Sequence, residues 1–486
     1  MTNHISRRGF LAVTAAMAAA TTLPVQILAQ SSALRLTAGT RTIDVDGRAA
    51  TVFGLLNERG GHGLILEPGQ RFEVALRNDL DVDTIIHWHG QIPPNDQDGV
   101  PHMPMPVLAP GETRHYDFDP LAGTHWMHSH IPVQEMQLLA APLIVRRPED
   151  VAADRQDVVM FLHDFSFKSP EEVLAEIASG EGHGGMDHGS MGHGGMDHGA
   201  AQPMAGMNHS GMGGMAMDLN DFDFDAYLTN DRTLSDPEVV RVERGGRVKL
   251  RIINASAATT YWIDTGIEGR LVAVDGHPVE PVGGKRFGLS MGQRLDIDLD
   301  LPAEYRAFPV FALREGEKER TGLILAPAGA TISRLAAIGE EAAPPFDINL
   351  AQEGALRALD PLPSRDASKS RAVLLDGSMS PYVWTIDGRT WDDHLPIVAR
   401  SGERVEMTFR NRSMMGHPMH LHGHSFQVVA IGNRRFTGAV RDTVHVPPMT
   451  SLTIALDAGE AANWMLHCHH MPHLSFGMMT EFQVQA

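Results

Sequence analysis

Cysteine is almost absent. Cys468 is the only one in 486 residues, so no disulfide forms within the chain and no disulfide framework supports it. Aromatic residues make up only 6% and helical apolar spacing is scarce, which argues against a helix bundle. Basic residues are outnumbered, 40 Lys and Arg against 60 Asp and Glu. A chain of net charge -20 repels nucleic acid and anionic membranes, so neither is an expected partner. Beyond the first 30 residues no run reaches the roughly 18 apolar residues of a membrane helix.

The one leading apolar run, in MTNHISRRGFLAVTAAMAAATTLPVQILAQ, follows Arg7 and Arg8 and ends at Pro24. It reads as a twin-arginine export signal over residues 1–30 and not as a membrane span. The remaining protein is expected to be soluble and monomeric, free of the membrane, and periplasmic or otherwise exported.

What is abundant is repetition. GQRFEVALRN (69–78), GGRVKLRIIN (245–254) and GERVEMTFRN (402–411) share Gly-x-Arg, an apolar alternation and a closing Asn. The alternation is that of a half-buried strand. LAPGETRHYDF (108–118), LSMGQRLDIDL (289–299) and VPPMTSLTIAL (446–456) form a second set. Three such units, rich in short strands and turns, predict an all-β chain of three tandem β-sandwich domains. They are expected at 34–150, 157–328 and 371–486, with 329–370 as a connecting segment. Inside the second unit, residues 183–217 hold eight Met and five His, and HGGMDHG occurs twice. Such Gly-rich sequence cannot bury a core and predicts a mobile insert.

The lone Cys is a spare thiol, a nucleophile or a metal ligand, and the flanking histidines favour the last. Four His-x-His pairs occur: His87/His89, His128/His130, His420/His422 and His467/His469. On a strand, residues i and i+2 face the same side, so each pair can turn two imidazoles into one space. HWHG (87–90) matches HLHG (420–423), and WMHSH (126–130) matches WMLHCH (464–469) apart from one added residue. Two related units could thus bring eight imidazoles to a shared boundary, enough for three metal ions. The third unit differs from the first at His417 against Thr84, at Cys468 against Ser129, and in adding His473 and Met478. Two imidazoles, a thiolate and a distant thioether suit a blue copper site better than structural zinc. The second unit has Tyr261 and Trp262 in the corresponding region and reads as a spacer without metal. Isolated histidines such as His62, His115, His163, His277 and His394 read as surface or core residues, and His424 and His470 as structural.

These motifs, in this order, resemble the multicopper oxidases, the family of laccases and bacterial copper-efflux oxidases. The resemblance spans the chain beyond residue 30 and implies cupredoxin-like Greek-key domains holding four copper ions, with dioxygen as co-substrate. It implies type 1 copper on His417, Cys468, His473 and axial Met478, and type 2 copper on His87 and His420. His89, His128, His130, His422, His467 and His469 would hold the type 3 pair. Asp98, in NDQDGVP, matches the position of a proton-donating acid, although an Asp-Gly pair is also an ordinary turn. Some relatives carry a further acid directly after the last type 1 His, where this chain has Leu474.

The function expected is one-electron oxidation of a substrate coupled to reduction of dioxygen to water. Cu(I) is the favoured substrate, which would serve copper tolerance; laccase activity on phenols and aromatic amines is the alternative. Outside the enzymes, an exported copper-sequestering protein would need only the insert. Thioethers select Cu(I) and imidazoles add Cu(II). Met186, Met191, Met196, His183, His188, His193 and His198 in the insert, with Met414 and Met415, are therefore expected substrate-copper contacts.

Overall fold

The computed structural model describes residues 33–180, 219–346 and 350–486. Residues 1–30, expected to be an export signal, and the Met/His-rich insert 183–217 lie outside them. No helix among the described residues is long and apolar enough to cross a membrane.

The chain is all-β, and its sheets fall in three successive stretches. The first stretch pairs a four-stranded sheet (Arg48–Asn57, Leu34–Val45, Phe72–Asn78, Thr113–Phe118) with a second one (Leu64–Leu66, Ala140–Val145, Gly123–Ser129, Ile86–His87). Strands between Gln156–Phe165 and Arg320–Pro327 form a nine-stranded sheet, and the last stretch forms sheets of seven and five strands. Among the described residues of 329–368 the only regular element is the short helix Ala351–Ala355.

The first set of repeats forms equivalent strands. Phe72–Asn78 alternates buried and partly exposed residues, and Arg404–Asn411 does so over most of its length. The closing Asn explains why the two sets of repeats recur together. Asn78 accepts from the Leu80 amide at 3.0 Å and donates to the carbonyls of Val82 (2.8 Å) and Leu108 (2.9 Å). Asn254 accepts from Ser256 (3.1 Å) and donates to Thr259 (2.9 Å) and Leu289 (3.1 Å). Asn411 accepts from Ser413 (2.9 Å) and donates to Met415 (2.7 Å) and Val446 (3.0 Å). Each Asn thus ties the loop after its own strand to the first residue of the matching second repeat. All three are buried, where an amide with no partner would cost free energy.

Strand pairing aligns the histidine pairs of the first and third stretches. His87 lies opposite His128, and His420 opposite His467. The strands that carry His128 and His420, Gly123–Ser129 and His417–Leu421, are buried at every residue.

Asn254→Ala, in the unit with no His-x-His pair, leaves two buried carbonyls and one amide without their partner. A loss of about 2–4 kcal/mol is expected, read as a lower urea midpoint; an unchanged midpoint would show that the turn holds itself.

Candidate metal centre

Two ligand groups meet at the strand Asn463–Cys468 and the residue that follows it, His469. In the first, Cys468 Sγ lies 3.7 Å from His417 Nδ1 and 3.6 Å from His473 Nδ1, and the two nitrogens are 3.2 Å apart. Main-chain bonds hold the loop closed: the Cys468 amide donates to the Met478 carbonyl (3.0 Å) and the Met478 amide to that of His473 (2.9 Å). Met478 is buried in the same apolar cluster as Cys468. His417 Nε2 bonds Ser413 Oγ at 2.8 Å, which leaves Nδ1 for the centre. His473 packs against Trp384 with ring centroids 3.8 Å apart. Burial pushes the Cys468 thiol well above its ordinary range, so a bound cation is what would make it a thiolate.

The second group brings together all eight histidines of the four pairs. Three overlapping subsets converge: His87 with His89 and His420, His89 again with His128 and His469, and His130 with His422 and His467. Facing nitrogens lie 3.4 Å apart for His87 and His420, 3.4 Å for His89 and His128, and 3.1 Å for His422 and His467.

The other ring nitrogen is bound on the outside in most of them, which fixes the tautomer. His87 Nδ1 donates to the Asp98 carbonyl (2.8 Å), His420 Nδ1 to that of Asp442 (2.9 Å), His128 Nδ1 to that of Ser129 (3.0 Å) and His467 Nδ1 to that of Cys468 (2.9 Å). His422 Nδ1 donates to Asp98 Oδ2 at 2.8 Å. His89 is turned the other way round, its Nε2 bonding Asp442 Oδ1 (3.2 Å) and Thr443 Oγ1 (3.0 Å).

Burial above all, with neighbouring imidazoles adding to it, holds His128, His130, His422, His467 and His469 well below the ordinary histidine range. His89 and His420 are lowered by burial too, against the opposing pull of Asp442. Neutral imidazoles with lone pairs turned inward form a donor set for a cation. His130 Nε2 and both nitrogens of His469 are buried with no hydrogen-bond partner. Orphaned nitrogens beside converging lone pairs fit copper, whose imidazole and thiolate preferences both groups meet.

Asp98 is buried, with its carboxylate between His422 and His87; Oδ1 lies 3.4 Å from His87 Nδ1. The Asp-Gly turn is required by space, since a Cβ on Gly99 would fall 1.9 Å from the Ile86 carbonyl oxygen.

Three supporting acids, Asp442, Glu135 and Asp221, carry no sequence motif. Asp442 touches both His89 and His420; burial would raise its carboxyl, yet the Arg294 guanidinium and hydrogen bonds from these histidines hold it well below the usual range. Glu135 is buried with Oε2 at 2.7 Å from His128 Nδ1, and burial raises its carboxyl well above that range. Leu474, in the place of the missing acid, lines the same small cavity as Glu135, His130 and His467. Asp221 Oδ2 stands 3.5 Å from Nε2 of both His470 and His473. His470 stacks on His473 with centroids 3.9 Å apart, so it belongs to the surroundings of the first group. His424 bridges the His422 carbonyl (2.9 Å) and the Gly459 amide (2.9 Å), a structural role.

Met414 and Met415 line a cavity beside Gly416 together with Met291, Glu315, Phe346, His445 and His470. The contacts expected within 183–217 lie outside the described residues.

Three models of multicopper oxidase domains match the chain, over residues 37–150, 157–332 and 365–486. It is 28% identical over 451 residues to multicopper oxidase MmcO of Mycobacterium tuberculosis, covering 90% of this chain and 84% of that one. It is 25% identical over 586 residues to copper resistance protein A of Escherichia coli, covering 95% and 94%. The crystal structure of a multi-copper oxidase from Pseudomonas thermotolerans superposes with a TM-score of 0.67 at 22% identity, covering 93% of this chain and 98% of the other.

Acid is expected to destabilise the metal-free protein. The unfolded chain takes up protons on His89, His128, His130, His420, His422, His467 and His469 near pH 6.5, whereas the folded chain, with their pKa values depressed, does not; stability is therefore full above that pH and falls as pH drops below it. Urea midpoints of copper-free protein at pH 7.5 and 5.5 check this, with a lower midpoint at pH 5.5 expected and an equal one contrary to it.

Proposed function

This chain belongs to the multicopper oxidase family and is an oxidoreductase, and from that premise we propose that it oxidises Cu(I) at Cys468 and reduces dioxygen at the eight-histidine cluster. His417, Cys468, His473 and Met478 would hold type 1 copper, and His87 with His420 the type 2 ion. His89, His128, His469, His130, His422 and His467 would hold the type 3 pair. Four copper ions bound there would supply one-electron redox chemistry, so that four Cu(I), four protons and one dioxygen give four Cu(II) and two waters.

The observation that carries the coupling is the run His467-Cys468-His469, which belongs to both ligand groups. Electrons leaving the sulfur reach either neighbouring imidazole along a few covalent bonds. The hydrogen bond from His467 Nδ1 to the Cys468 carbonyl adds a shorter branch. Asp98 holds His422 through Oδ2 and reaches toward His87 with Oδ1, a position suited to passing protons to reduced oxygen. Burial of seven of the eight histidines, and of His130 Nε2, keeps bulk water from the cluster.

Cu(I) as substrate is supported by the cavity next to His417. Thioethers of Met291, Met414 and Met415 line it with the His445 imidazole and the Glu315 carboxyl, a soft donor set that suits Cu(I). Burial holds His445 down to about 3 and raises Glu315 to about 7. Met414 is 62% exposed, so the cavity opens to solvent. The described residues on both sides of the Met/His-rich insert pack toward this part of the fold. Before it, Val173 and Ile177 of helix Pro170–Ser179 join the apolar cluster around Cys468; after it, Leu219 lines the cavity and Phe222 joins that cluster. Copper gathered by the insert would be released within reach of the cavity, a role in copper tolerance for an exported enzyme. Phe346 in the cavity wall supports the second reading, a laccase acting on phenols and aromatic amines.

Oxygen uptake by copper-loaded protein, with Cu(I) and with a phenol, tests this on the full chain and on one lacking 183–217. Uptake with Cu(I) is expected, falling about tenfold on deletion, a change of about 1.4 kcal/mol in kcat/KM, while uptake with phenol is unchanged. Uptake with phenol alone would establish the laccase reading, and none with either would leave a copper-sequestering protein. An unaltered Cu(I) rate after deletion would remove the insert from substrate delivery.

A further inference from the structure

The second unit contributes to none of the ligand groups described above, yet its turn at 290–294 lies against the cluster. Gly292 has φ 76°, and a Cβ there would stand 2.9 Å from His469 Cδ2 and 3.3 Å from His89 Cε1. Only bare backbone fits between that turn and two imidazoles brought by the other units. Gln293 Nε2 donates to the Thr443 carbonyl at 3.2 Å.

Arg294, next in the chain, is fully buried. Its Nη1 donates to Asp442 Oδ1 at 2.7 Å and its Nη2 to Asp442 Oδ2 at 2.6 Å, while Nε donates to the Thr124 carbonyl at 3.1 Å. The closing glycine of HWHG leaves room for this pair. A Cβ on Gly90, with φ 85°, would lie 2.3 Å from Arg294 Nη2 and 2.9 Å from Asp442 Oδ2. Behind Arg294 the alternation of charge continues: its amide donates to Asp275 Oδ1 at 2.9 Å, Arg441 Nε donates to Asp275 Oδ2 at 2.8 Å, and Arg441 Nη1 to Glu353 Oε2 at 2.5 Å. Glu353, Arg441, Asp275, Arg294 and Asp442 thus form one buried chain from the connecting segment to the cluster.

A buried ion pair is a poor source of net stability, because desolvation offsets the attraction. Its use is orientation. A two-pronged guanidinium fixes both oxygens of a carboxylate. Here the fixed carboxylate accepts from His89 Nε2, and the same residue's carbonyl accepts from His420 Nδ1. Rotation and tautomer of one imidazole from the first unit and one from the third are thereby set together.

We propose that Arg294 is a positioning residue for the metal centre: through Asp442 it fixes His89 and His420, so that the second unit governs copper affinity at the type 2 site and the adjoining type 3 site without supplying a ligand. The inference rests on the copper assignment given under the proposed function.

The test compares the native full chain with Arg294→Met, Arg294→Lys and Asp442→Asn. It reads a copper titration by the type 2 EPR signal alongside the type 1 blue absorbance. In Arg294→Met the blue absorbance is expected to persist, while type 2 copper binds about 10–100-fold more weakly with altered hyperfine splitting, as for lost outer hydrogen bonds to a ligand. Arg294→Lys should fall between, because an ammonium keeps the charge but not the fork, and Asp442→Asn should resemble Arg294→Met. Native affinity and hyperfine splitting in Arg294→Met would overturn the proposal. So would parallel loss of the blue absorbance and the type 2 signal in all three variants, the mark of a general packing role. A native protein with neither signal would instead overturn the copper assignment beneath it.

Discussion

Neutral imidazoles whose lone pairs face one another at 3.1 to 3.4 Å, with no proton between them, repel. The rest of this structure works against that repulsion. A cation shared among the lone pairs removes it, but the fold must hold the rings in place whether or not one is bound. It does so by giving the far nitrogen of most rings a fixed partner and by burying seven of the eight histidines among the sheets. The partners are largely main-chain carbonyls, of Asp98, Ser129, Asp442 and Cys468. Main chain moves less than side chain, so the rings inherit the rigidity of the sheets.

That rigidity is itself built from repetition. The same Asn ties the same two segments in three successive units, and the same cross-strand register pairs His87 with His128 and His420 with His467. Divergence between units then appears as substitution on a common frame. Ser129, in the first unit, bonds Gln134 at 2.8 Å. At the matching position Cys468 points at His417 and His473, so that one ligand group stands one residue from the other.

Features fixed by neighbours in sequence were legible without coordinates. The two-residue period of a strand made each His-x-His a convergent pair, and the difference between HSH and HCH marked where the third unit departs from the first. The all-β class followed from the same alternation. Features fixed by partners far along the chain were not legible. Asp442 acts on His89 from 353 residues away, and Arg294 acts on Asp442 from 148. In sequence they are an Asp after an Arg and an Arg after a Gln. Glu135 adjoins a motif, but only its burial against His128 distinguishes it from a surface acid. The glycine of HWHG and HLHG was visible as part of a repeat, while its reason differs in the two units. Gly90 makes room for an ion pair, whereas a Cβ on Gly423 would strike the Trp464 ring at 2.1 Å. The second unit read as a spacer because it lacks histidine pairs. Its contribution to the eight-histidine cluster is a glycine backbone and a guanidinium, which no ligand motif reveals.

The central claim is that Cys468 serves one copper site while its two neighbours serve another. Copper content, optical absorbance and EPR of Cys468→Ser test it most directly. The account predicts one copper fewer per chain than in the native protein, no blue absorbance and an intact type 2 signal, with oxygen uptake abolished. Blue absorbance surviving in that variant would contradict it.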